Sequence, residues 1–405
     1  MSNFAFGTYR ITDQNPQHIQ AIIDAVEAGV RLIDTSTNYM DGGAEKAIAK
    51  ALRHFDDDTR KEVEIVSKFG YIQGSNMRLH KEEPFEDVVE YSESCFHSIS
   101  KSFMLHQLEQ SLLRLELTQV DCYLLHNPEY YLFNALNKDM PRDEALDNIF
   151  DRIFDIFVAL EEQVQNGTIK SYGISSNSFA KDHKDLEFLP YDDLITLADR
   201  AAEVAGNDVH SFTTIQLPIN LLETKGLKCA SWAKENGLRV LANRPLNAQS
   251  GKLMYRLADY DESREYYHHL NELLDLCDND ELQSLYNLIE QLDVNKHKYG
   301  WLGDYDSFLF SQIVPHIQKT LEGIDEQNLE TLFNYVDMFL QEYRKMVAYE
   351  CSKSTRVQLK EQLEGCTHSL QECAIRFLME RESIDYILIG MRKPSYVQDI
   401  MALKE

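Results

Sequence analysis

The chain has no run approaching the ~18 consecutive apolar residues that a membrane span requires. Its start, Met1-Ser2-Asn3-Phe4, lacks the basic and then apolar regions of a signal peptide. There is no C-x-x-C pair. The seven cysteines are scattered and odd in number, which argues against a disulfide framework and structural zinc, and for reduced thiols in a cytoplasmic setting. No Gly-rich dinucleotide fingerprint is present. Positive charge is also short: 40 Lys and Arg against 67 Asp and Glu leave a formal net charge of -27. That balance argues against nucleic acid and anionic membranes as partners. It also sets a condition, since any phosphorylated ligand needs a local basic pocket within an acidic whole.

What is present is an alternation of short apolar runs and helical patterns. Strands are expected at Phe4–Tyr9, Val30–Ile33, Val63–Lys68, Val120–Leu125, Ile169–Ile174, Phe212–Gln216 and Leu238–Ala242. Helices lie between them. The first has Pro16 at its start, Ile19, Ile22, Ile23 and Val26 at helical spacing, and Gly29 beyond its end. Residues 70–101 read as one long polar loop. After Gln249 the alternation stops, and 251–368 is charged and mostly helical in pattern. The rhythm then resumes with a helix at Leu370–Met379, a strand at Tyr386–Gly390 and a closing helix at Pro394–Leu403. Repeated strand-helix units argue for a parallel sheet with right-handed crossovers.

The most telling stretch is Gly29-Val30-Arg31-Leu32-Ile33-Asp34-Thr35-Ser36-Thr37-Asn38-Tyr39, an apolar strand closed by an acid, with a tyrosine five residues on. A third strand ends at Lys68 within Val66-Ser67-Lys68-Phe69. A fourth, Asp121-Cys122-Tyr123-Leu124-Leu125-His126, ends at a histidine. In a barrel of alternating strands and helices, all these strand ends face one mouth. The four residues, in this order, resemble the catalytic tetrad of the aldo-keto reductases. The resemblance covers about 4–250 and 369–403. It implies a (β/α)8 TIM barrel of residues 1–250 and 369–405, with a large, mainly helical insertion (251–368) after strand seven, at the catalytic face. It also implies an oxidoreductase interconverting a carbonyl (aldehyde, ketone or sugar) and an alcohol by hydride transfer. In that chemistry a phenol near Lys68 is a better acid than a free one, because an ammonium favours the phenolate. Asp34 orients Lys68, Tyr39 is acid or base, and His126 binds the carbonyl oxygen. The scheme needs no metal, and the chain is read as carrying none.

The resemblance also implies a nicotinamide cofactor, with NADP favoured over NAD. Gly173-Ile174-Ser175-Ser176-Asn177 is similar to the family's Ser-Asn grip on the carboxamide, and the Asn position falls on Ser176 or on Asn177. Gln216 completes that grip. Asn243-Arg244-Pro245-Leu246 stands where relatives place an aromatic-Ser-Pro-Leu run, so Asn243 replaces the stacking aromatic and Arg244 brings a guanidinium to the cofactor path. In Gly390-Met391-Arg392-Lys393-Pro394-Ser395, Arg392 and Lys393 lead into a helix N-terminus and form an anion site suited to a 2′-phosphate. Tyr396 stands in place of a second basic residue.

For the insertion, three roles are open: a lid on the mouth, a homo-oligomer contact, or an inert elaboration. Trp301, Tyr305 and Phe308 are its most aromatic stretch, suited to core packing as much as to substrate. A second class of function is a cofactor-binding regulatory or interaction protein on the same barrel. The complete tetrad favours the enzyme, with a small carbonyl or alcohol as its substrate.

Overall fold

A computed structural model of the chain describes residues 3–251, 253–322 and 326–404. Eight parallel strands close into a barrel: β1 (Asn3–Gly7), β2 (Leu32–Asp34), β3 (Glu64–Phe69), β4 (Val120–His126), β5 (Ile169–Ser175), β6 (Phe212–Pro218), β7 (Arg239–Asn243) and β8 (Tyr386–Ile389). Each pairs with its neighbour in sequence, and β8 closes on β1 through Phe4↔Ile387 and Phe6↔Ile389. The barrel interior holds a buried cluster of Ala5, Leu32, Val66, Cys122, Leu124, Leu241 and Leu388.

Strand side chains repeat with a period of two. The residue two positions beyond each cluster member therefore points into the same barrel, one step nearer its carboxyl end. Those residues are Asp34 after Leu32, Lys68 after Val66, His126 after Leu124 and Asn243 after Leu241. The same period places Ser175 and Gln216 there, and the pairings His126↔Ser175 and Ser175↔Gln216 keep them level. Gly173 is needed one step below, because a Cβ there would lie 2.0 Å from the Thr214 carbonyl oxygen.

The helices between strands follow their caps. Asn15 accepts from the Gln17 amide at the start of Pro16–Glu27, and Ser100 accepts from the Phe103 amide at the start of Lys101–Leu115. The 70–101 segment departs from the expected loop. It holds the helix Ser75–Glu82 and a three-stranded antiparallel sheet of Tyr71–Ile72, Val89–Ser92 and Cys95–His97, with the last strand in the centre. Strands of two to four residues are too short to show an alternation in sequence.

The chain divides into two compact units, one of Met1–Ile219, Glu223–Pro245 and Phe377–Glu405, the other of Asn220–Leu222 and Leu246–Arg376. The second begins with the hairpin Asn247–Ser250 and Leu253–Arg256 and is otherwise helical. Its helices Tyr266–Cys277, Gln283–Asn295 and Glu326–Gln358 bury a core that includes Leu270, Ile289, Phe339 and Tyr343. Tyr305 is fully buried in that core, while Phe308 is exposed. Pro315 sits at the second position of Val314–Leu321, just after a π-helical turn at Leu309–Ile313 that breaks the regular α-helical pattern ahead of it.

The expectation of reduced thiols throughout is corrected by a disulfide between Cys366 and Cys373, whose Cα atoms lie 6.1 Å apart across a short turn. Spacing seven residues apart matches no framework pattern, so sequence alone gave no sign of it. Among the described residues, no helix is long and apolar enough to cross a membrane.

Candidate active site

Lys68 is the centre of the site and is fully buried. Its ammonium donates to Asp34 Oδ1 at 2.7 Å, to the Thr35 carbonyl at 2.7 Å and to the Tyr39 hydroxyl at 3.4 Å. An ammonium has three hydrogens, so this set occupies all of them and aims the third at the phenol. Asp34 Oδ1 also accepts from Gln216 Nε2 at 2.7 Å, and Gln216 Oε1 accepts from Ser175 Oγ at 3.0 Å. A chain of hydrogen bonds thus runs from β5 through β6 and β2 to β3.

Tyr39 opens a tight turn, Tyr39–Gly42, in which Met40 and Asp41 take left-handed backbone angles with φ of 51° and 52°. Such angles cost energy in residues with a Cβ and persist only where the surroundings enforce them. Here the brace is Asp41, whose Oδ1 accepts from the Ser75 amide at 2.9 Å and the Ser75 hydroxyl at 2.7 Å.

His126 lies across from the phenol, with ring centroids 6.2 Å apart. Its Nδ1 is 3.3 Å from Ser36 Oγ, which leaves Nε2 for a ligand. Its carbonyl accepts from His97 Nε2 at 2.7 Å, and the Tyr71 ring meets the imidazole edge-on at 4.8 Å. Tyr71 is itself held by Asn127 Nδ2 at 2.6 Å and by the Tyr130 hydroxyl at 3.2 Å.

Electrostatics in this enclosure are governed by burial. Desolvation, with the Lys68 charge and the nearby His97 ring, holds His126 well below its usual pKa, so the ring is neutral near pH 7. Burial pushes the Asp34 carboxyl up and the Lys68 ammonium down, each offset in part by the other. Tyr39 departs from the sequence expectation: burial first, then Asp34 and Tyr9, raise its pKa well above the ordinary value. The Lys68 charge is already shared with Asp34 and Thr35, so it does not prevail over the loss of water. The phenol is held protonated.

Placement of the remaining predicted residues varies. Gln216 joins the Asp34 group directly. Ser176 is buried and donates to Glu129 Oε2 at 2.9 Å, while the Asn177 side chain is exposed. It is Ser175 whose hydroxyl reaches Gln216. Arg244, with φ 52°, is paired through its guanidinium with Glu223. Gly390, Arg392 and Lys393 are exposed ahead of the helix Pro394–Met401; Arg392 lies within electrostatic reach of His18, and Lys393 lies 5.7 Å from the Tyr396 ring centre.

The sequence reading carried Ser175 only inside the strand-five motif, without a role of its own, and passed over Tyr71, Tyr130 and Glu129. The first was legible, since it follows Gly173 by one strand period; Tyr71 comes from the short sheet, and Glu129 and Tyr130 from the start of the helix Tyr130–Asn137. Glu129 accepts from Ser176 Oγ and from the amides of Asn177 and Ser178, so one buried carboxylate organises the turn after β5. Burial raises its pKa from 4.5 to about 7. A carboxyl raised this way favours the folded state while protonated, and that advantage is lost as pH climbs from about 4.5 through about 7. Glu129→Gln mimics the protonated form. Its stability relative to the unsubstituted protein is expected to improve by up to ~3 kcal/mol between pH 5 and pH 8, read from urea unfolding at both pH values. A difference that does not change with pH would refute the assignment.

The chain belongs to the aldo/keto reductase family, whose sequence model matches residues 3–405. Among curated relatives, it is 29% identical to prostaglandin F synthase 1 of Bos taurus over 185 residues, 45% of this chain and 48% of that protein. Methylglyoxal reductase YeaE of Escherichia coli (strain K12) is 25% identical over 243 residues, 59% of this chain and 61% of its own. The chain thus spans about half the length of the first of these relatives. The solved glycerol dehydrogenase AKR11B4 from Gluconobacter oxydans overlays with a TM-score of 0.48 at 16% identity, covering 99% of this chain and 86% of its own.

Proposed function

We propose that the protein is an NADP-dependent oxidoreductase that interconverts a carbonyl and an alcohol, with Tyr39 as the acid in reduction and the base in oxidation. The observation that carries this reading is the buried Lys68 ammonium, with Asp34 on one side and the Tyr39 hydroxyl on the other. The cofactor, when bound, supplies or accepts the hydride. The residues present fit such a group. Asn243 Oδ1 is buried at the mouth with no hydrogen-bond partner among the described residues, and an amide N–H would satisfy it. Ser175 and Gln216 sit beside it, the Asn243 amide lying 3.4 Å from Gln216 Oε1. Arg392 and Lys393 supply the positive charge that a 2′-phosphate requires.

The proton chemistry follows from the protonated phenol. A carbonyl oxygen placed between Tyr39 and His126 would receive a hydrogen bond from the neutral imidazole and, as charge develops on it, the phenolic proton. Lys68 then faces the phenolate it helps to stabilise.

The test is a panel of aldehydes, ketones and sugars with NADPH and NADH in parallel, followed by cofactor absorbance. Turnover of none of them, with cofactor binding intact, would sink the enzymatic reading. In the same assay Arg392→Ala should weaken NADPH by about 1.5–3 kcal/mol and NADH much less, the scale of one charge-assisted hydrogen bond. Equal losses would show that Arg392 does not read the 2′-phosphate.

A further inference from the structure

In the helical unit, three side chains of the helix Tyr266–Cys277 converge on one point. His268 Nε2 and His269 Nδ1 each lie 3.4 Å from Glu272 Oε2, and the three atoms all fall within 4.8 Å of one another. Helical geometry explains the meeting. At 3.6 residues per turn, position 272 projects between 268 and 269, about 40° from one and 60° from the other, one turn further along.

The bland explanation is a pair of surface contacts between histidine and glutamate, which are worth little. Two details go beyond it. First, the His269 Nδ1 atom has no solvent exposure and no hydrogen-bond partner among the described residues, although Glu272 is near. Second, the 3.4 Å separations match the edge of a tetrahedron. Zinc bonds of about 2.0–2.1 Å to imidazole nitrogen and carboxylate oxygen put neighbouring ligands about 3.3–3.4 Å apart. Glu342, held by Ser263 Oγ at 2.6 Å and Lys345 Nζ at 2.6 Å, lies within electrostatic reach of His269 and adds negative potential.

We propose that His268, His269 and Glu272 form a binding site for a divalent transition metal of the zinc class, with the remaining coordination open to water. Two imidazoles and a carboxylate select zinc, cobalt or nickel over magnesium and calcium, which prefer all-oxygen sets. The site is independent of the barrel and its chemistry. The reading of a chain without a metal rested on cysteine spacing and on a tetrad that needs none, and neither bears on this helix. His-His-x-x-Glu becomes legible once a helix is drawn through it.

The experiment uses the untagged full chain, freed of metal by chelator and titrated with cobalt chloride. The expected result is one equivalent taken up, with the visible absorption of low-coordinate cobalt, displaced by zinc and untouched by excess magnesium. His268→Gln, His269→Gln and Glu272→Gln should each weaken uptake at least ~10-fold, while His183→Gln on the other unit leaves it unchanged. His268 is exposed and His269 and Glu272 are half-buried, and a far-ultraviolet dichroism spectrum of each variant checks the fold. No uptake by the unsubstituted chain, or uptake that the three substitutions do not alter, overturns the site.

Discussion

Replacing Tyr39 by phenylalanine is expected to lower turnover by roughly two to four orders of magnitude, the usual worth of a positioned acid, with cofactor affinity preserved. The substitution removes one oxygen. Its partners in the folded protein are the third hydrogen of Lys68, at 3.4 Å, and whatever substrate oxygen enters. The ring itself packs edge-on against Tyr9 with centroids 5.3 Å apart, and that contact survives in phenylalanine. Loss of turnover without loss of fold or cofactor binding is therefore the signature sought, by steady-state rates beside a fluorescence titration of cofactor. Retention of most activity would show that the proton comes from elsewhere.

The second large effect concerns stability. Lys68→Met should destabilise the barrel by about 3–5 kcal/mol, because it leaves the Asp34 carboxylate buried without its cation. Gln216 still donates to Asp34, but a neutral amide does not replace an ammonium. The sign of the pH dependence is set by burial. Asp34 is already pushed above its usual value, and without Lys68 it moves further in the same direction. Its protonated form is then the one that folds well, so the deficit should shrink as pH falls towards the ordinary carboxyl range and grow as pH rises. Asp34→Asn combined with Lys68→Met should recover much of the loss while remaining inactive. Urea midpoints for the two single variants and the double variant decide it. Additive losses would mean that the buried pair is not coupled as described.

How much of this was legible depended on how far each signal runs along the chain. The eight barrel strands and their order followed from apolar runs recurring between helical patterns. Asp34, Lys68 and His126 could be placed because each closes such a run, and the period of two turns a strand end into a direction. The limits arose where structure is short or non-local. Tyr71 sits in a two-residue strand that no periodicity can reveal, although its ring lies 4.8 Å from that of His126. The choice between Ser176 and Asn177 looked like a problem of register. The fold shows Ser175 reaching Gln216, where the strand period puts it, while Glu129, nearly fifty positions away, holds Ser176 and the Asn177 amide. The phenol's pKa was misjudged for a related reason: sequence shows which charges are near but not how little water is.

The brace between Asp41 and Ser75 bears on how such a protein can be altered. The same surface excursion that steadies the Tyr39 turn through Ser75 also steadies His126, through Tyr71 and His97. The Tyr39 turn and His126 therefore share one piece of scaffolding. Grafting a foreign 71–97 segment would disturb Tyr39 and His126 together, so the excursion is not a detachable module. Sequence change within the excursion, by descent or by engineering, would have to proceed by single side-chain exchanges that spare its four anchoring contacts.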